Sequence, residues 1–195
     1  MNYHSTQSGY SLVEVLIAIT ILLLAIAGPL TIASKGLQAA YFAREQLTAF
    51  MLAQEGVEII TAIRNEHAIE EFAAGPPFGN MWDWVSDTDI SDCFDPEGCN
   101  IVLDNSNLTS NITECDPAED CRLYYSEAGG NRSWYRDSGG GADPTPFVRV
   151  IRLNETVPDQ EVEVEVTVTW QPAVFGGGTP KVITLTTSLF NEYEI

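Results

Sequence analysis

The stretch from Ser8 to Leu30 reads Ser-Gly-Tyr-Ser-Leu-Val-Glu-Val-Leu-Ile-Ala-Ile-Thr-Ile-Leu-Leu-Leu-Ala-Ile-Ala-Gly-Pro-Leu, and the rest of the chain must be arranged around it. From Val15 to Ser34 no residue is charged. That is about the twenty residues that a helix rising roughly 1.5 Å per residue needs to cross about 30 Å of hydrocarbon, so a membrane span is expected. Glu14 stands at the start of the run. A carboxylate near the lipid interior costs about 2.5 to 3.5 kcal/mol on insertion scales and is kept only where something uses it, which marks Glu14 as functional. A secretory signal peptide has a shorter apolar core that ends in a small-residue cleavage site, and an acid inside the core does not fit that pattern.

Gly28-Pro29 reads as a kink or a locally melted stretch inside one long helix, because Pro29 has no backbone N–H to give. From Leu37 the pattern becomes amphipathic. Leu47, Phe50, Ala53, Val57, Ile60 and Ile63 recur at three- and four-residue steps as a buried stripe, with Arg44, Glu55 and Glu58 opposite on an ideal wheel. A helix from Tyr10 to near Asn65 would be about 80 Å long, its first half spanning or packing and its second half supporting a head. Glu66 to Glu71 can add a turn or two before Gly75-Pro76-Pro77 stops it. His67, Glu70 and Glu71 have a spacing that could share a metal ion, but adjacent acids at a helix end are more often solvated, so no metal is assigned.

The C-terminal third reads as antiparallel sheet. Leu123 to Ser126, Trp134 to Arg136, Phe147 to Leu153, Val162 to Trp170 and Val182 to Leu189 are strand segments separated by Gly- or Pro-containing connections, with Gly139 to Gly141 and Gly176 to Gly178 as loop tips. The clearest is Glu161 to Trp170, with Val162, Val164, Val166, Val168 and Trp170 on one face and Glu161, Glu163, Glu165, Thr167 and Thr169 on the other. Its packed face needs a partner, and the stripe of the long helix supplies one. The fold class is therefore α+β: a long N-terminal helix packed on a C-terminal antiparallel sheet. The expected organisation is residues 1–9 ahead of the span, 10–35 as the spanning helix and 36–195 as a head. The head comprises an amphipathic helix at 36–72, a disulfide-containing loop region at 75–126 and a sheet over 122–190.

Between helix and sheet lie Trp82 and Trp84, expected to cover the helix, and two matched brackets, Cys93 to Cys99 and Cys115 to Cys121. An even cysteine count beyond an export segment argues for disulfides. Four cysteines allow three pairings. The Pro and acidic residues inside each bracket favour a turn, hence the local pairs. A four-thiolate zinc site usually has about two to four residues between ligands and fits less well. Asp87, Asp89 and Asp92 could ligate calcium, but they lack the loop pattern that goes with it, and a plain acidic loop is preferred. Asn107, Asn111, Asn131 and Asn154 begin Asn-x-Ser/Thr sequons and point to surface loops.

With 28 acids against 9 bases the net charge is −19, which keeps an exported domain soluble and disfavours direct nucleic-acid binding. No Gly-x-Ser-x-Gly, phosphate-loop or nucleophile-base pattern occurs, so neither an enzyme nor a cofactor is indicated.

Gly9, Tyr10, Ser11, Leu12, Val13, Glu14 and the apolar run that follows resemble the cleavage and methylation segment of type IV pilins and the pseudopilins of type II secretion. The resemblance implies a cut after Gly9 by a dedicated inner-membrane peptidase, N-methylation of Tyr10, and use of Glu14 in subunit assembly. It also implies a helix-breaking residue in the region of Gly28-Pro29. Tyr10 stands for the commoner Phe and Ser11 for the commoner Thr, and the leader has no Lys or Arg. The sheet layout more loosely resembles minor pilins of the V type and I-type pseudopilins. The implied protein is a structural and minor filament subunit with the pilin fold. Its implied partners are other pilin subunits, the prepilin peptidase, an inner-membrane assembly platform and, before assembly, lipid. It would begin as a single-pass inner-membrane protein and end in an extracellular or periplasmic filament. A tip adhesin, or a secretion pseudopilin that moves exported cargo, are the alternatives.

Overall fold

The computed structural model describes residues 9, 11–76, 82–86, 90–102, 112–116, 121–126, 133–135, 143–172 and 179–191. Helix α1 runs over Leu12–Ala74, and among the described residues seven strands follow it. They are β1 (Cys99–Ile101), β2 (Ile112–Glu114), β3 (Arg122–Ser126), β4 (Ser133–Tyr135), β5 (Asp143–Val157), β6 (Glu161–Trp170) and β7 (Lys181–Phe190). Short 3-10 turns cover Asp83–Ser86 and Ser91–Cys93. The α+β expectation holds: one long helix packs on an antiparallel sheet. Helix α1 continues past Asn65 and stops where Gly75 takes a φ of +77°, the left-handed conformation that ends a helix, just before Pro76.

By internal contacts the chain falls into two compact units that divide between Ala43 and Arg44. In the second unit the sheet is built on β5, which pairs along one edge with β3 and β1 and along the other with β6; β7 closes the β6 side. Register pairs Phe147 with Trp170, Arg149 with Val168, Ile151 with Val166 and Leu153 with Val164, all on one buried face. Burial alternates without a break along β6, as its sequence requires.

Against this face lies the second half of α1, through Ala49, Leu52, Ala53, Gly56, Ile59, Ile60 and Ile63. The approach is closest at Gly56, where an added Cβ would lie 2.8 Å from Val166 Cγ1. The stripe read from the sequence is thus rotated. Ala53, Ile60 and Ile63 are buried and Val57 is half-buried, but Leu47 and Phe50 are 56 % and 39 % exposed. The small residues Ala49, Ala53 and Gly56 form the seam, because close helix–sheet contact selects for absent bulk. Glu55 also departs from the wheel, as its carboxylate is 3.5 Å from the buried Arg149 guanidinium instead of facing solvent alone.

On the other face of β5, Val150 clusters with Cys115 and Cys121, and Val148 packs beside them. Both brackets are closed locally, with Cα–Cα separations of 4.6 Å for Cys93–Cys99 and 5.3 Å for Cys115–Cys121. Such short crosslinks stabilise by roughly 2 to 3 kcal/mol in the chain-entropy picture. Strand β1 joins them: Gly98 accepts from the Cys115 N–H at 2.9 Å, and Cys99 pairs with both Glu114 and Ile151. Gly98 has a φ of +75° and leaves no room for a Cβ, which would fall 2.6 Å from the Ile151 carbonyl oxygen. Trp82 and Trp84 are buried in an edge-to-face pair at 5.5 Å.

Because α1 approaches β6 through an absent side chain, bulk at Gly56 must separate them. Gly56→Leu should lower unfolding stability by about 2 to 3 kcal/mol, and Gly56→Ala by less, since about 1 kcal/mol of helix propensity offsets part of the overlap. Urea unfolding followed by circular dichroism measures both; an unchanged midpoint for the Leu variant would contradict this packing.

Candidate functional site

The residues that the sequence singles out for chemistry cluster at the start of α1. Gly9 is exposed and precedes the helix, while Tyr10 lies outside the described residues. The carbonyl of Ser11 accepts the first helical hydrogen bond, from the Val15 N–H at 3.2 Å, which makes Ser11 the cap and Glu14 the third residue of the first turn. Ser11-Leu12-Val13-Glu14 therefore has the Ser-x-x-Glu form of a capping box. A carboxylate here also sits in the favourable field of the helix N-terminus. That capping signal was available in the sequence but is masked there by the stronger membrane signal.

From Ser11 to Tyr41 every residue is exposed, including Leu16, Ile21, Leu24 and Ile32 at 55 %, 62 %, 75 % and 74 %. An apolar helix surface exposed over its length, as from Val15 to Ser34, calls for lipid or other helices around it. Two of its hydroxyls bond back to their own helix. Thr20 Oγ1 donates to the carbonyls of Leu16 and Ile17, and Thr31 Oγ1 donates to that of Ala27 at 2.8 Å. Helix α1 is assigned continuously through Gly28 and Pro29, with no melted stretch. Pro29 gives no N–H to the Ala25 carbonyl, so the ladder is weakened there all the same.

Other candidates are scattered. His67 is half-buried and Glu70 exposed, and no group of three potential metal ligands occurs among the described residues. Asp92 lies in the second 3-10 turn, while Asp87 and Asp89 fall outside the described residues, as do Asn107, Asn111, Asn131 and both Gly-rich tips. Asn154 is exposed, but within β5 and not in a loop. The polar site that sequence reasoning missed is Arg149, 1 % exposed, which donates from Nε to Asn100 Oδ1 at 3.0 Å and from Nη1 to the Leu52 carbonyl at 3.3 Å. Burial pushes its pKa down and Glu55 pushes it back up. These contacts tie helix to sheet and do not form a reactive centre.

A family model described as the prokaryotic N-terminal methylation motif matches residues 4–28. No curated protein and no solved structure matches the chain. The motif is the signature of the precursor segments of type IV pilins and pseudopilins, and it covers Gly9, Tyr10, Glu14 and the first part of the apolar run.

Cleavage is expected between Gly9 and Tyr10, inside the matched segment and just ahead of the helix that begins at Leu12. Mass spectrometry of protein purified from its native producer should find an N-terminal peptide that begins with methylated Tyr10. An intact Met1 start, or a cut near Ala27, would contradict the assignment.

Proposed function

We propose that this chain is a structural subunit, and a minor one, of a type IV pilus or pseudopilus, cut after Gly9 and assembled through the first half of α1. The observation that carries this reading is the methylation motif at residues 4–28 on a helix whose apolar surface is left uncovered from Ser11 to Tyr41. The motif and the apolar helix fit a membrane-anchored precursor, and families that carry the motif are structural, not enzymatic. Lipid covers the helix before assembly, and the helices of neighbouring subunits cover it afterwards. Because the apolar surface is satisfied in both settings, transfer from membrane to filament exchanges one apolar environment for another and exposes none of it to water.

Glu14 supplies register to that exchange. It lies four residues beyond Tyr10, one helical turn, and after processing the α-amino group of Tyr10 is a cation near the same level. In a water-poor bundle, opposite charges interact far more strongly than in bulk, and an unpaired carboxylate is costly. Pairing Glu14 with the Tyr10 amine of a neighbour would select the axial position in which both charges are met. The capping geometry explains why Glu14 is tolerated at a helix start, but it supplies no reason for an acid in an apolar span.

Glu14→Ala should still be cut after Gly9 but remain in the membrane, and Glu14→Asp should assemble poorly. Immunoblots of sheared-filament and membrane fractions separate the two fates. Wild-type amounts of the Ala variant in filaments would show that Glu14 acts only as a cap.

A further inference from the structure

On the sheet face turned away from α1 there is an open groove of about 550 Å³ that the assembly reading leaves unused. Such a volume is in the range of about 300 to 1,000 Å³ typical of ligand sites. Strand register builds it: Arg122 of β3 stands opposite Val148 of β5, which stands opposite Thr169 of β6, and Val150 stands opposite Thr167 in the next row. Val148 and the buried Val150 make an apolar floor, bordered on the same face by the Cys115–Cys121 bridge against which Val150 packs. Thr167 and Thr169 bring hydroxyls along one side, and Arg122 and Arg152 bring guanidinium groups.

These two cations differ in what they already hold. Arg152 is occupied, with Glu165 at 3.6 Å and the carbonyl of Pro96 accepting from Nε at 2.7 Å. Arg122 gives one hydrogen bond, from Nη1 to the Thr145 carbonyl at 3.1 Å, and has no carboxylate partner among the described residues. A guanidinium carries five N–H donors, so most of its capacity is unspent. In a chain of 28 acids and 9 bases, a guanidinium with no carboxylate partner among the described residues stands out.

We propose that this groove binds a short extended peptide segment bearing one carboxylate, with the carboxylate on Arg122 and apolar side chains over Val148 and Val150. A guanidinium with donors to spare matches a single negative charge, and its planar fork suits a carboxylate. The surrounding acids repel more highly charged ligands. A saccharide fits less well, because sugar faces call for an exposed aromatic ring and Trp170, the one aromatic residue of the lining among the described residues, is only 2 % exposed. The Thr hydroxyls can serve the amide groups of the segment.

The test is calorimetric titration of the full chain in detergent micelles with acetyl-Ala-Val-Leu bearing a free C-terminal carboxylate, with the same peptide as its carboxamide, and with a glucuronate-containing disaccharide. The acid should bind saturably and the amide about tenfold or more weakly, the usual scale for losing a charge-assisted hydrogen bond. Arg122→Gln should reproduce that loss, Arg122→Lys should recover part of it, and Arg44→Gln on the helix should change nothing. Equal binding of acid and amide by the parent chain would overturn the proposal without reference to any variant. So would no saturable binding up to about 10 mM peptide, weaker than any specific recognition worth the name, or preference for the disaccharide. Retention of peptide binding by a folded Arg122→Gln chain would do the same.

Discussion

The fold depends on how one buried cation is accommodated. Arg149 points from β5 towards the helix and is almost wholly buried, a placement that costs several kcal/mol unless its donors are met. They are met from three directions: Asn100 and the Ile101 carbonyl on β1, the Leu52 carbonyl on α1, and the Glu55 carboxylate at 3.5 Å. Gly56 lets the helix come this near the sheet, since a Cβ there would overlap Val166 Cγ1 at 2.8 Å while only touching Arg149 Cδ at 3.5 Å. An ion pair of this kind adds little net stability over an apolar substitute. It penalises every other placement of helix on sheet, because sliding α1 by a turn would leave the guanidinium unpaired. Register between α1, β1 and β5 is thus specified by charge, and apolar packing supplies the driving force.

That docking separates two uses of one helix. The part with Ala49, Gly56 and Ile60 is committed to the sheet, whereas every residue from Ser11 to Tyr41 is exposed. The first part follows the rules of soluble packing, with small residues at the closest approach. The second follows the rules of lipid and helix bundles: an uninterrupted apolar surface, hydroxyls bonded back to their own helix, and one acid at the end.

Legibility from sequence followed the same division. Glu14 and the apolar run could be read directly, because a charge beside a membrane span has few explanations, and β6 could be read because it is covered on one face only. Strand β5 could not be resolved into faces. Phe147, Ile151 and Leu153 are buried on the face of Arg149 while Val148 and Val150 pack with the Cys115–Cys121 bridge on the other, so both faces are apolar and the alternation vanishes. For the same reason Arg149 looked no different from Arg152. Strands β1 and β2 are three residues each, too short to show a period, and are held by pairing and disulfides instead of by pattern. The buried stripe of α1 was placed by bulk, through Leu47 and Phe50, when the contact runs through Ala and Gly.

The central claim is that the exposed N-terminal half of α1 is completed by other subunits and not by its own head. A photoreactive benzoylphenylalanine in place of Leu23, irradiated in cells that assemble the filament, tests this most directly. The expected result is covalent adducts between this chain and other pilin subunits, lost when Glu14 is also replaced by Ala. Irradiation that yields only the unshifted chain, with the probe joined to residues of its own sheet, would contradict it.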